Sequence, residues 1–264
     1  MQHPLLPFHP RRQQRGVALF VVLVFVMLSM LLALWASRTA WFNELVVGND
    51  ADYQRAFEAA QALLQDAELD IRGERADGLA CTPDPAKPKI CRRGTTEQFP
   101  LEEKEVGPQL AELDNLPSPK CRHGLCAKRV GRQDFWDNIT PANGITKTEM
   151  MAVDIGARYG EYTGAQIGNG SNPILQSDLS TPANQGGWYW IEILPYDAAA
   201  ANSALIGNSN ASNLALNLQP NVVYRITAVA FGRKMRAPRT GETGDQPLTQ
   251  VVLQQTYARQ KLKD

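Results

Sequence analysis

Residues 17–36 read VALFVVLVFVMLSMLLALWA, a run that has no charged side chain and has Ser29 as its one polar member. At about 1.5 Å of rise per residue, a helix of this length spans about 30 Å, the thickness of the hydrocarbon layer of a bilayer. The run therefore predicts a membrane-spanning helix, and Trp35 and Trp41 fit an aromatic belt at its outer interface.

The charges around this run predict its orientation. The leader, residues 1–16, contains Arg11, Arg12 and Arg15 and no acid, which favours a cytoplasmic N-terminus and a periplasmic remainder. The whole chain has 27 basic and 27 acidic side chains, so the part that follows the leader is weakly acidic. Because no basic cluster lies on a predicted helix, this balance argues against binding of nucleic acid.

Two other interpretations of the apolar run stay open at this point. A buried helix of a soluble domain is one, although such helices rarely lack polar residues on every face. A cleaved secretory signal is the other, but its apolar region usually has about 7–15 residues and ends in a small-residue cleavage site. Trp35 stands where a small residue is needed, and residues 36–40 offer a weak substitute.

Residues 38–72 predict an amphipathic continuation of the helix. They contain no proline, and after an interruption at Gly48-Asn49 apolar residues recur at helical spacing, with Asn49 or Asp50 as N-cap and Gly73 as the stop. The predicted apolar face comprises Tyr53, Ala56, Phe57, Ala60, Leu63, Leu64, Ala67 and Ile71. The predicted polar face comprises Asp52, Arg55, Glu58, Gln65, Asp66 and Glu68.

Residues 73–264 predict a periplasmic head. Segments rich in β-branched and aromatic residues indicate strands at 188–194, 221–231 and 248–257, with a shorter one at 158–163. We therefore expect an antiparallel sheet over about residues 158–258. Packed on the apolar face of the amphipathic helix, such a sheet gives an α+β fold.

The rest of the head is expected to be irregular. Seven prolines between residues 74 and 120 disfavour long helices there. Stretches rich in glycine, asparagine or serine predict surface loops at 164–187 and 198–213. The predicted hairpin loop at 232–247 contains four basic residues, Arg233, Lys234, Arg236 and Arg239, which we interpret as a solvated loop rather than a binding patch.

Four cysteines lie in the segment 74–130, at Cys81, Cys91, Cys121 and Cys126. In an oxidising compartment an even number predicts two disulfides, for which three connectivities exist. We favour Cys81–Cys91 and Cys121–Cys126, because each pair joins near neighbours in chain broken by proline or glycine. A zinc site made of the four thiols or His123 is the alternative, but paired Cys-x-x-Cys knuckles are lacking.

No catalytic motif occurs in the sequence. Of three histidines, His3 and His9 lie in the leader, and there is no His-Glu-x-x-His, Gly-x-Ser-x-Gly or Walker-type loop. Glu192, inside a predicted strand, is expected to face solvent or to pair with an arginine. We therefore expect no enzyme activity, no cofactor and no metal.

The junction before the apolar run resembles a prepilin signal. Gly16 follows Arg15 and directly precedes the run, and in prepilins a membrane peptidase cuts after such a glycine on the cytoplasmic side. The resemblance implies that Val17 becomes an N-methylated N-terminus. It also implies that residues 17–37 are kept, first as a transmembrane segment and later as the fibre-core half of the helix.

Within the pilin and pseudopilin superfamily, residues 15–70 most resemble PilX-type minor pilins of the type IV pilus. The elements that carry the resemblance are Gly48-Asn49-Asp50 and Ala56-Phe57-Glu58-Ala59-Ala60, and the aromatic pair Phe135-Trp136 beyond a Gly-Leu-Cys piece supports it. The resemblance implies a pilin-like fold, in which a long N-terminal helix packs on an antiparallel sheet.

Val21 is the fifth residue counted from Val17, where major pilins carry a glutamate. A carboxylate in hydrocarbon is costly unless it is paired, and in pilins its partner is thought to be the N-terminal ammonium of a subunit added earlier. A subunit without this carboxylate needs no earlier neighbour. Val21 therefore favours a first or tip position.

The resemblance implies a minor pilin that helps prime pilus assembly, sits at or near the tip and supports a large tip adhesin, in processes such as adhesion and twitching motility. Expected partners are prepilin peptidase, the inner-membrane assembly platform, other minor pilins, the major pilin and, before assembly, membrane lipid. The expected location is the bacterial inner membrane and then the fibre at the cell surface. The alternatives are a K-type minor pseudopilin of a type II secretion system and a signal-anchored periplasmic enzyme or binding protein.

Overall fold

The computed structural model describes residues 15–92, 98–100, 103–168, 170–176, 181–195, 222–239 and 244–259. The leader residues 1–14 and the predicted loop at 198–213 lie outside these ranges. The chain divides into two compact units, Met1–Asp50 and Ala51–Asp264.

The first helix, α1, runs from Arg15 to Arg72. The predicted interruption at Gly48-Asn49 is wrong, because both residues lie inside the helix, and neither Asn49 nor Asp50 caps a new start. A glycine inside a helix costs only about 1 kcal/mol relative to alanine, so a single one does not end a helix of this length.

The predicted stop of α1 at Gly73 is confirmed. Gly73 has a φ of +68°, a conformation that glycine adopts without strain. Its backbone N–H donates to the carbonyl of Asp70, and that of Glu74 donates to Leu69. These two bonds form a Schellman cap, which satisfies carbonyls that the end of the helix leaves open.

A five-stranded sheet forms the second unit's scaffold. Its strands, in spatial order, are β1 (Cys121–Arg122), β2 (Leu125–Cys126), β3 (Gly187–Pro195), β4 (Val222–Phe231) and β7 (Gln250–Tyr257). Only β2 and β3 are parallel. The three longest strands confirm the strands predicted at 188–194, 221–231 and 248–257.

A small hairpin lies between β4 and β7 in the sequence. It pairs β5 (Met235–Arg236) with β6 (Gln246–Pro247). The long apolar helix and the mostly antiparallel sheet together confirm the predicted α+β, pilin-like fold.

The short strand predicted at residues 158–163 is wrong. Ala157 forms a single bridge with Tyr189, and the chain then turns. Gly160 adopts a φ of +71°, and its carbonyl accepts a hydrogen bond from the backbone N–H of Gly164. The two tyrosines of this segment, Tyr159 and Tyr162, therefore lie in a turn rather than in a strand.

The described residues contain two further α-helices, α2 (Glu103–Asp114) and α3 (Lys147–Met150). The expectation that prolines exclude long helices between residues 74 and 120 fails at α2, which has 12 residues with Pro108 inside. Val106 and Leu113 of α2 are buried in the core, and this packing offsets the hydrogen bond that a proline removes.

The sheet has an apolar core on each face. On one face, Ile191, Ile226 and Ala228 pack with Ala60 and Leu63 of α1. On the other face, the core is formed mainly by aromatic and methionine side chains, namely Trp188, Trp190, Phe231, Phe135, Met150 and Met151. The helix residues 56–71 thus cover one side of the sheet, and the chain around residues 135–151 covers the other.

Candidate functional site

The surface of α1 is apolar from Val17 to Ala36, with Ser29 as its one polar residue. Every side chain in this stretch is exposed, and α1 is the one helix in the described residues that is long and apolar enough to cross a membrane, judged by length and composition. An apolar surface of this extent requires lipid or other helices to cover it. It is therefore the first candidate for a functional surface.

Two hydroxyl groups of α1, one in this stretch and one just beyond it, are bonded within the helix. The Ser29 hydroxyl donates to the carbonyl of Phe25 at 2.8 Å, and the Thr39 hydroxyl donates to Trp35 at 3.0 Å. Such bonds satisfy hydroxyl groups inside a helix that has no water around it. Counted from Val17, the first acidic residue of the helix is Glu44.

The structure places Gly16, Val17 and Val21 in the first two turns of α1. The side chains of Val17 and Val21 are 63% and 43% exposed. The other site residues predicted from sequence, the four cysteines, all lie in the second unit. The predicted site residues therefore belong to two separate parts of the molecule.

Three aspartates of α1 are buried in the second unit, Asp52, Asp66 and Asp70, with exposures of 2%, 2% and 6%. The assignment of Asp52 and Asp66 to the polar face was wrong. Their spacing in the sequence could have shown that they are buried. The aspartates at 52, 66 and 70 are separated from Ala59, Leu63 and one another by steps of three, four or seven residues, so all five lie on one face of the helix.

Asp52 and Asp66 each hold a different loop against the helix. Asp52 Oδ1 accepts the backbone N–H of Arg233 at 2.8 Å, just after β4. Asp66 accepts the backbone N–H of Gly160 at 2.8 Å and the hydroxyl of Thr163. The turn at residues 160–163, which replaces the predicted strand, is thus fixed by a carboxylate on α1.

Asp70 forms a buried ion pair with Arg92. The Arg92 guanidinium donates to both carboxylate oxygens, with Nε 2.9 Å from Oδ1, and the Tyr189 hydroxyl donates to Oδ2 at 3.4 Å. The guanidinium also lies 4.0 Å from the centre of the Tyr162 ring. Hydrogen bonds to charged groups contribute about 1.5–3 kcal/mol each, so this pair fastens the segment around Arg92 to the helix.

Asp66 differs from Asp70 because its direct donors are neutral. Burial raises the pKa of Asp66 to about 7, and the hydrogen bonds from Thr163 and Gly160 oppose this rise. The nearby Asp70 carboxylate adds to the rise, and Arg92 opposes it. Asp66 therefore changes its charge near neutral pH while its donors stay neutral.

Comparison with known proteins decides the family. Residues 15–65 match the PilX N-terminal family, and residues 122–259 match the family described as type IV pilus assembly protein PilX, C-terminal part. The chain belongs to the PilX family. No curated protein and no solved structure matches it.

Membership in the PilX family makes this chain a minor pilin of the type IV pilus, a membrane-anchored structural component that interacts with other pilus components. The exposed apolar helix is the feature of the structure that fits this assignment. The family match lends no support to a K-type pseudopilin or to a signal-anchored periplasmic enzyme.

The head of this PilX-family pilin contains two disulfides, Cys81–Cys91 and Cys121–Cys126, which are the pairs favoured from sequence. The first ends directly before Arg92, the partner of Asp70, and the second closes the hairpin of β1 and β2. Because all four thiols are bonded, none is available to zinc. The described residues contain no group of histidine, cysteine or carboxylate side chains that could hold a metal.

Glu192 of the pilin head pairs with arginines, one of its two expected environments. It is fully buried on β3, and its carboxylate accepts from Arg129 Nη2 at 2.6 Å and from Arg225 Nε at 2.7 Å. Burial lowers the pKa of Arg129 to about 10; Glu192 opposes this fall and Arg225 adds to it. The geometry is that of a structural ion pair, since both carboxylate oxygens are engaged by the two arginines.

Proposed function

We propose that this minor pilin helps prime type IV pilus assembly and takes a position at or near the pilus tip. The observation that carries the proposal is the apolar character of α1 at Val21, which is exposed on the helix and is followed by no acid before Glu44. A subunit with a glutamate at Val21 would need a neighbouring ammonium to pair with it in an apolar surrounding. This subunit enters without such a neighbour.

The proposal includes the processing and topology expected from sequence. The leader, residues 1–16, is removed after Gly16, and Val17 becomes an N-methylated terminus. Residues 17–37 cross the inner membrane once with the N-terminus in the cytoplasm, residues 38–72 continue the helix, and residues 73–264 form the periplasmic head. The Val17 ammonium is then offered to the next subunit that arrives.

The proposed partners are the prepilin peptidase, the inner-membrane assembly platform, other minor pilins and the major pilin. After assembly the subunit lies in the fibre at the cell surface, where its head supports a large adhesin. Its action is helix packing, and it carries out no catalysis.

The decisive experiment replaces Val21→Glu in the full chain, in cells that otherwise lack it. The added carboxylate favours insertion after another subunit, so we expect fewer pili per cell and gold-labelled subunit within the shaft rather than at the tip. Val22→Glu is the matched control, because it places the same charge one position away in the same exposed turn. Unchanged pilus number and unchanged tip labelling in the Val21→Glu strain would refute the tip proposal.

A second measurement addresses processing. Mass spectrometry of the membrane-extracted chain is expected to find a methylated Val17 as the first residue. A chain that begins at Met1, or one cut after Ala36, would contradict the proposed maturation.

A further inference from the structure

Strand β7 forms the edge of the sheet and pairs on one side with β4. The register of the sheet determines which backbone N–H and C=O groups of β7 point towards β4 and which point outwards, and it can be followed strand by strand from β3. The N–H groups of Tyr189 and Ile191 donate to Ala157 and Gly124, on the side of β3 away from β4. The odd-numbered residues of β3 therefore point away from β4, and the even-numbered ones bond to it.

The same alternation passes from β4 to β7. Glu192 of β3 is paired with Arg225, so the next residue of β4, Ile226, directs its backbone groups towards β7, where it is paired with Gln255. In β7 the odd-numbered residues thus bond to β4. The backbone N–H and C=O groups of Val252, Gln254 and Thr256 point to the outer edge, and no backbone hydrogen bond from another described segment reaches them.

The outer edge of β7 lacks the usual protection of an exposed strand. Its sequence, QVVLQQTY, contains no charge, proline or glycine, and its eight register pairs with β4 run without a bulge. Natural sheets shield free edges with charges, prolines, bulges or very short strands. The opposite edge follows this rule, since β1 has only two residues, whereas β7 leaves a long edge open for pairing.

A groove of about 500 Å³ runs beside this edge, between α1 and β7. Its apolar lining comes from Phe57, Leu64 and Leu253, and its polar lining on the helix from Gln61, Gln65 and Glu68. Glu68 is the one charge in the groove, and it is already paired, because its carboxylate accepts from Gln255 Nε2 and lies 3.9 Å from Arg72 Nη1. An extended segment along β7 would place alternate side chains here, with apolar ones against Phe57 and Leu64.

We propose that β7 takes up an extended segment of another pilus subunit as an added strand, with apolar side chains of that segment against Phe57 and Leu64 in the groove. Backbone hydrogen bonds to Val252, Gln254 and Thr256 provide the binding, and the groove selects the side chains. The inference rests on the proposed function, because the partner is a component of the same assembly.

The test uses the full chain in its native cells and a proline at the outer edge. Gln254→Pro removes an N–H that β4 does not use, so the sheet is expected to fold while the added strand loses a hydrogen bond and meets the proline ring. Gln254→Ala is the matched control, because both variants lose the side-chain bond to the Thr227 hydroxyl but only the proline loses the N–H. Thr256→Pro repeats the change at the next outward-facing residue.

Contact is read with a photo-reactive benzoyl-phenylalanine in place of Thr256, and Val153, which is 62% exposed, serves as the control position. We expect an adduct at position 256 whose linked peptide comes from an extended segment of another pilus subunit. Gln254→Pro should reduce this adduct and the number of pili at least tenfold, and Gln254→Ala should change neither.

Several results would overturn the inference. One is a folded Gln254→Pro chain that keeps the adduct and the pili; another is an adduct within the same chain or with a second copy of it. If both proline variants unfold, the N–H groups of Gln254 and Thr256 are needed for pairing with β4, and their outward direction is wrong. Removal of the whole chain separates the two proposals. If cells without the chain make the normal number of pili, the priming function is wrong. If those cells lose pili but the proline variants keep them, only the strand addition is wrong.

Discussion

Replacing Asp66→Asn tests how the buried carboxylate controls the stability of the head. Asp66 lies under the turn at residues 160–163, where Gly160 and Thr163 donate to it. Asparagine has nearly the same shape, keeps an acceptor for the Gly160 N–H and carries no charge at any pH. The variant therefore imitates the protonated carboxyl, and it differs from the native chain only where Asp66 is ionised.

The magnitude follows from the pKa of Asp66, which burial raises from 3.8 to about 7. Between these two values the folded chain holds a proton that the unfolded chain has lost, so the free energy of unfolding falls as the pH rises. A difference of about three pKa units corresponds to about 4 kcal/mol. The stabilisation is complete below about pH 4 and is lost as the pH passes 7.

The assay is chemical denaturation of the full chain in detergent from pH 4 to pH 8, followed by the emission of the buried residues Trp188 and Trp190. The native curve also reflects other carboxyl groups, among them Asp70, whose pKa burial raises against the opposing effect of Arg92. The difference between the native and Asp66→Asn curves removes most of their contribution. We expect Asp66→Asn to gain up to about 4 kcal/mol over the native chain between pH 4 and pH 8.

Thr163→Val keeps the Asp66 carboxyl group and removes one of its hydrogen-bond donors. The Thr163 hydroxyl opposes the rise of the Asp66 pKa, so its removal should raise that pKa further and move the loss of stability to higher pH. The reasoning would be refuted if the difference in unfolding free energy between Asp66→Asn and the native chain did not change with pH, or if the native chain gained stability relative to the variant as the pH rose.

Three further predictions concern the head. Glu192→Gln leaves Arg129 and Arg225 without a counter-charge and should cost about 3–5 kcal/mol in denaturation at pH 7. Replacing both cysteines of the Cys81–Cys91 disulfide with serine should cost about 3 kcal/mol of stability, and the same change at the shorter Cys121–Cys126 loop about 2 kcal/mol, measured by thermal melting. The reverse order would contradict an origin in loop entropy. Gly160→Ala should destabilise more than Gly170→Ala, because both glycines have positive φ but only at Gly160 would a Cβ collide with the Ala165 carbonyl; equal losses would show that backbone strain alone decides.

The parts of the fold that sequence predicted well depend on local pattern. The apolar run, the three long strands and the stop at Gly73 are each encoded in neighbouring residues, through periodicity or turn chemistry. The turn at residues 158–163 was missed because its two tyrosines are typical of a strand, while its conformation depends on Asp66, 94 positions from Gly160. The parallel pairing of β2 with β3 was missed for a similar reason, since two-residue strands have no periodicity to detect.

The buried aspartates show why apolar periodicity alone does not specify how α1 docks in the second unit. A stripe of alanine and leucine tolerates small rotations, since its members are similar in shape and have no directional bonds. With a helix about 10–12 Å across including its side chains, a rotation of about 20° already moves a carboxylate at its surface by about 2 Å, which is enough to take Asp52, Asp66 and Asp70 from their donors. Each buried polar group left without a partner costs about 1–3 kcal/mol, and more when charged, so the loss of all three sets of bonds costs several kcal/mol. The aspartates therefore select one register from those that the apolar face allows.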